Sequence, residues 1–144
     1  MSSRKLRRTF SLLALCCLAL PLLSACGGGA AKEITATLKT FNIGLSSSTA
    51  KAGDVTFHLK NAATDITHEF VVVKTDTAAG KLPLGGDGKK VSEDGIEVVD
   101  EMEDIEVGKG GDLTVNLTPG HYVLMCNIED HYKAGMHADL TVVP

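Results

Sequence analysis

Apolar and polar residues alternate along several short stretches of this chain. In residues 54–60, Val55, Phe57 and Leu59 fall on one side, with Thr56, His58 and Lys60 on the other. Residues 112–117 repeat the arrangement with Leu113, Val115 and Leu117. Successive side chains of an extended chain point to opposite faces, so each stretch predicts a strand with one face on a core. Residues 34–43, 121–126 and 138–143 are further β-prone segments, 69–74 holds the continuous apolar run FVVV, and 96–99 is a shorter piece. No segment keeps a helical period over three turns. Short strands separated by Gly and Pro predict an all-β fold, an antiparallel sandwich of six or seven strands. Residues 75–95 break the pattern. Rich in Gly, Lys and Asp around LPLGGDGKK, they read as one long loop, a length that in compact domains is commonly functional or mobile.

The N-terminus stands apart from this pattern. Arg4, Lys5, Arg7 and Arg8 precede a mostly apolar run over residues 10–23, and small residues follow at Ser24 and Ala25. This is the layout of an export signal over residues 1–25. The apolar run is shorter than a membrane-spanning helix and contains Pro21. Leu23-Ser24-Ala25-Cys26 resembles the lipobox of bacterial lipoproteins, a resemblance that implies lipidation of Cys26. Residues 26–32 then form a Gly-rich tether, and 33–144 a single domain. Arg7-Arg8-Thr9-Phe10 also resembles a twin-arginine motif, and the residues leave the export route open. The expected location is extracytoplasmic, anchored to the cell membrane through lipid.

Maturation changes the cysteine count and the charge. Cys16 and Cys17 leave with the signal and Cys26 is committed to lipid, so Cys126 has no disulfide partner in the mature chain. A lone thiol in an oxidising compartment calls for burial or a bound metal. Four of the 14 basic residues also leave, so ten lysines face 18 acids, a balance of about −8. Such a chain is a poor partner for nucleic acid. Eight acids lie between Glu93 and Glu106 without an intervening base. They read as a solvated loop or sheet edge, or as a docking patch for a basic redox partner.

Cys126, His131 and Met136 stand at even five-residue intervals in CNIEDHYKAGM. Thiolate, imidazole and thioether together suit copper, which cycles between two oxidation states. Taken singly, Cys126 is explained by burial and Met136 by packing; the joint spacing favours a metal site. A fourth ligand is expected upstream at His68, which opens the apolar strand THEFVVV. His58, on a polar strand face, and His121, after Pro119-Gly120, read as solvated surface imidazoles, while His137 adjoins Met136.

This pattern resembles the cupredoxins, and its C-x4-H-x4-M loop is similar to those of rusticyanin and the sulfocyanins. The resemblance implies a Greek-key β-sandwich of about seven or eight strands holding one type 1 copper. It implies ligation by His68, Cys126, His131 and Met136, with the thioether a weak axial cap. It further implies a non-enzymatic carrier of single electrons, serving a partner such as a cytochrome or terminal oxidase. The alternative is copper storage or delivery to an oxidase. Multicopper enzymes need more histidines than this domain has. One departure stands out: relatives carry Asn or Ser after the first histidine, and this chain has Glu69. That leaves open how the two ligand segments are tied together.

Overall fold

The computed structural model describes residues 30–144; the signal segment and Cys26 lie outside the described residues. Nine strands form in chain order: β1 (Glu33–Lys39), β2 (Asn42–Leu45), β3 (Thr49–Lys51), β4 (Gly53–Asn61), β5 (His68–Lys74), β6 (Glu97–Ile105), β7 (Gly110–Leu117), β8 (Gly120–Met125) and β9 (His137–Val143). Sheet order is β2-β1-β4-β7 in one layer and β3-β9-β8-β5-β6 in the other. This is the all-β sandwich that the alternation predicts.

The inward faces are those the sequence pattern marks. Val55, Phe57 and Leu59 of β4 are buried against Ile34, Ala36 and Leu38 of β1 and, from the opposite sheet, Phe70, Val72, Leu124 and Leu140. Phe57 and Phe70 meet across the layers with ring centroids 5.2 Å apart. Leu113 is only partly buried at the start of the inward row in β7, which Val115 and Leu117 continue.

Four features depart from the expected pattern. Residues 34–43 do not form one strand, because the chain turns at Thr40–Phe41, with Phe41 in the left-handed region (φ 54°), and returns as β2. β3 has only three residues and too little alternation to be seen in the sequence. The sheets are mixed, since β1 pairs with β4 and β3 with β9 in parallel. The fourth departure is β6. It extends through the acidic stretch to Ile105 as the edge of the larger sheet, where charges meet solvent and discourage pairing with other chains.

The 75–95 loop is fastened to the fold. Leu82 and Val91 are buried on the outer face of the larger sheet against Val71, Val73, Val123, Met125 and Tyr132. Each such side chain contributes roughly 1.5–3 kcal/mol by leaving water. This cover explains why FVVV in β5 is continuously apolar: both faces of the strand are dry.

Candidate metal centre

Asn61 sets the start of β5. This buried amide donates to the carbonyls of Ile66 (2.9 Å) and Ile105 (2.8 Å) and accepts from the Ala63 N–H (2.9 Å). It thereby fixes the 62–67 connection, and His68 emerges paired with Ile105 of β6 and fully buried. Cys126 follows the last residue of β8, and the loop to β9 closes on itself. The Cys126 N–H donates to the Met136 carbonyl (3.1 Å), and the Met136 N–H to the His131 carbonyl (3.0 Å). The left-handed backbone of Asp130 (φ 64°) lies inside a turn bonded from His131 N–H to Ile128 O.

These two segments bring three donor atoms together. Cys126 Sγ lies 3.2 Å from His131 Nδ1 and 3.9 Å from His68 Nδ1, and the two Nδ1 atoms are 3.3 Å apart. All three residues are buried, and they are the one potential metal-ligating cluster of its kind among the described residues. Met136 is fully buried in the same core cluster as Cys126. Of the other histidines, none joins the cluster. His137 lies against Tyr132 with centroids 5.0 Å apart and ring planes tilted by 50°. His121 bonds the Thr75 carbonyl (2.6 Å) and Asp139 (2.9 Å), and His58 lies between Glu33 (2.6 Å) and Asp112 (2.8 Å). The last two sit at the surface as expected, but hydrogen-bonded to carboxylates rather than simply solvated. Their carboxylate partners come from neighbouring strands, which no local pattern reveals.

The electrostatics suit a soft metal. Burial pushes the Cys126 thiol up to about 11, although backbone N–H groups of Glu69 and Ile128 oppose it by stabilising the thiolate. The Glu69 N–H stands 3.4 Å from Sγ. Burial lowers His68 and His131, and His68 is lowered further by its neighbour His131, so both imidazoles are held neutral with lone pairs to offer. His68 Nε2 is buried without a hydrogen-bond partner. Two neutral imidazoles and a thiol converging in a dry pocket form the donor set for copper. Loading must expel the thiol proton, which a metal cation with two preformed amide donors can do.

Around the donors runs a shell that the sequence pattern missed. Glu69 is half-buried; burial raises its carboxyl, while the Asn127 N–H bonds and stabilises the charged form. The Glu69 N–H therefore ties the His68 segment to Cys126 Sγ, while its carboxyl lies near enough to the Asn127 N–H for that group to favour its charged form. That is the link the Asn-to-Glu departure left open. Asn127 is itself buried and grips the long loop: its Oδ1 accepts from Val91 N–H (2.7 Å) and its Nδ2 donates to Val91 O (3.2 Å) and Glu93 (3.1 Å). Asp130 N–H to Lys89 O (2.9 Å), Lys89 to Glu129 (3.1 Å) and Leu82 N–H to Tyr132 Oη (2.9 Å) extend the seam.

Comparison with known proteins agrees with this geometry. The model of the sulfocyanin (SoxE) domain matches residues 41–144. No curated protein matches. Among solved structures, dithionite-reduced auracyanin from the photosynthetic bacterium Roseiflexus castenholzii superposes with a TM-score of 0.61 at 23% identity, covering 81% of this chain and 100% of its own. Auracyanin A, a "blue" copper protein of Chloroflexus aurantiacus, gives 0.53 at 20% identity, covering 77% and 99%. Rusticyanin from Thiobacillus ferrooxidans gives 0.50 at 18%, covering 79% of each chain. These structural likenesses speak to the fold, and the domain match, over most of the chain, speaks to descent. With a copper donor set on a β-sandwich and that match together, the chain belongs to the sulfocyanin (SoxE) family of cupredoxins, the blue copper electron-transfer proteins.

Proposed function

We propose that this chain is a lipid-anchored, extracytoplasmic carrier of single electrons, with copper held by His68 Nδ1, Cys126 Sγ, His131 Nδ1 and the Met136 thioether. The observation that carries the reading is the convergence of two imidazole nitrogens and a thiol within 4.8 Å of one another in a buried pocket. When bound, copper supplies a one-electron couple at the end of the sandwich. The chain's own part is to keep the donors fixed in both oxidation states. The 126–136 loop is closed by its own backbone bonds, and Asn61 and Glu69 hold the opposite segment, so little rearrangement accompanies electron transfer. Full burial of Cys126, His68 and Met136 also favours a resident copper over one that is handed on, which weighs against the delivery reading.

The redox partner on this reading, a cytochrome or terminal oxidase, meets the acidic protein through a basic surface. The edge strand β6 carries Asp100, Glu101, Glu103 and Asp104 and is hydrogen-bonded to β5, the strand that begins at His68. The anchor is the acylated Cys26, whose test is loss of fatty-acid labelling in Cys26→Ser.

The test of the centre is a visible and EPR spectrum of the full chain loaded with Cu(II). An intense thiolate charge-transfer band that bleaches with ascorbate is expected. Cys126→Ser should abolish the colour, and Met136→Leu should keep copper while shifting the potential. A pale complex that a chelator strips at once would refute the carrier reading, and colour persisting in Cys126→Ser would refute the ligand assignment.

A further inference from the structure

Three large apolar side chains stand exposed among the described residues: Phe41, Leu84 and Val107. Phe41 differs from the other two in its backbone and in what it touches. It is the second residue of the two-residue turn between β1 and β2, whose last pair is Lys39 with Asn42. Its φ of 54° is in the left-handed region, where Cβ crowds the backbone and where Gly or Asn normally stands. A bulky aromatic residue at such a position is unusual, and conformations of this kind persist where the surroundings hold them and concentrate at functional sites.

What holds it here is the metal centre. The Phe41 ring meets the His131 imidazole edge-on, with centroids 5.2 Å apart and planes at 74°, an arrangement favoured between aromatic rings. The hairpin also approaches the ligand loop with its backbone: a Cβ placed on Gly135 would stand 3.8 Å from the Phe41 carbonyl oxygen. Gly135 is itself left-handed (φ 109°) and immediately precedes Met136. The hairpin tip therefore rests on the segment between His131 and Met136. His131 is 4% exposed, whereas Phe41 beside it is 38% exposed, so Phe41 stands between that imidazole and solvent.

We propose that Phe41 is a positioning residue of the copper centre: the strained hairpin tip lays an aromatic ring on His131, fixing the imidazole and keeping water and small anions from that side of the site. The proposal rests on the copper assignment above. An ordinary surface aromatic residue would need neither the backbone strain nor the edge-on contact with a ligand, since Leu84 and Val107 are as exposed without left-handed backbone.

The experiment compares Phe41→Asn, which suits the left-handed turn but lacks the ring, with Phe41→Tyr, which keeps it. Three readouts are taken on the full chain: the thermal midpoint without metal, the His131 ring-proton shifts without metal, and copper loss to a chelator with and without azide. In Phe41→Asn the metal-free midpoint should equal or exceed that of the parent chain, because the backbone strain is relieved. The His131 ring protons should lose the ring-current displacement, copper should leave about tenfold faster, a change of 1.4 kcal/mol in barrier, and azide should alter the EPR spectrum. Phe41→Tyr should match the parent in all respects. Unchanged His131 shifts, or a fallen midpoint with unchanged copper release, would show a packing residue and overturn the proposal. Asn-like behaviour of Phe41→Tyr would overturn it too. A parent chain that never forms the coloured centre would instead refute the copper assignment, and the metal-free shifts would still decide the role of Phe41.

Discussion

Replacing Asn127 by Ala removes the side-chain amide clamp on Val91, one of several links between the long loop and the ligand loop, while leaving every proposed copper ligand in place. Leu84 and Val91 form an antiparallel bridge whose hydrogen bonds run through their neighbours, from Gly85 N–H to Lys90 O and from Ser92 N–H to Pro83 O. The N–H and C=O of Val91 face the other way, and Asn127 satisfies both, at 2.7 and 3.2 Å. Val91 is 3% exposed, so the truncation strands a donor and an acceptor with little access to water. A buried unsatisfied group costs about 1–3 kcal/mol, and water entering the space left by the amide recovers part of that. Loss of the bond to Glu93 adds little, because that carboxylate reaches solvent. The expected cost is about 2–4 kcal/mol, a fall of roughly 8–15 °C in the thermal midpoint for a domain of this size. Urea unfolding of the metal-free chain measures the total, and amide exchange at Val91 locates it. The Val91 N–H should be strongly protected in the parent and exchange far faster in the variant. An unfolding free energy within about 0.5 kcal/mol of the parent, the range of a bland surface change, refutes the reasoning. So does equal protection of Val91.

Other expectations follow from single contacts. Gly110→Ala would drive a Cβ into the Leu59 carbonyl oxygen, a backbone atom that cannot swing aside. The β4–β7 pair must spread, at a cost of about 3 kcal/mol or more, and an unchanged thermal midpoint would contradict the contact. His58 has its pKa raised above 6.5, first by the hydrogen bond to Glu33 and then by that to Asp112. Its protonated form is favoured by the fold, so the stability it contributes is fully present below the unfolded value of 6.5 and lost as pH rises through the higher folded value. Thermal midpoints of the parent and His58→Gln should therefore converge toward alkaline pH, and a gap that widens there would refute the pairing. Glu101 has its carboxyl raised by burial and then by Glu103, Glu93 and Asp100, so its charge opposes folding at neutral pH. Glu101→Gln should stabilise by a few tenths of a kcal/mol at low ionic strength. That gain should fade in high salt and as pH falls through the carboxylate range; a salt-independent loss would contradict the repulsion.

Where the sequence was readable, one face of the chain met the core and the other met water. β4 and β7 followed from alternation alone, and the outward row of β4 contains the His58 that the structure finds at the surface. β6 was half seen for the opposite reason. As an edge strand carrying charge it lacks the apolar period beyond Val99, and backbone pairing with β5 extends it to Ile105. The turn at Phe41 went unread because neither of its two central residues, Thr40 and Phe41, is a Gly or Asn, and a contact with His131, remote in sequence, is what accompanies it. Glu69 left the tie between the ligand segments open, because its N–H reaches Cys126 Sγ only once the two segments are adjacent. Asn61 and Asn127 gave no signal, since a polar residue looks the same in sequence whether it is solvated or is the buried amide that ties two loops together.

The sequence by itself determined the chemistry on offer. It holds a thiol, an imidazole and a thioether at five-residue intervals, a histidine opening an apolar strand, and patterned segments enough for one β-sandwich. These are local properties, carried by residue type and by spacings that one loop or one strand can express. Tertiary structure decided whether those groups act together. Cys126 and His68 lie 58 residues apart in the chain, and their approach to 3.9 Å depends on the pairing of β5 with β8 and on the amide of Asn61. The protonation of the thiol, the neutrality of the imidazoles and the fastening of residues 75–95 follow from burial. Burial is a property of the assembled layers, because water is excluded only when surfaces distant in sequence close over one another.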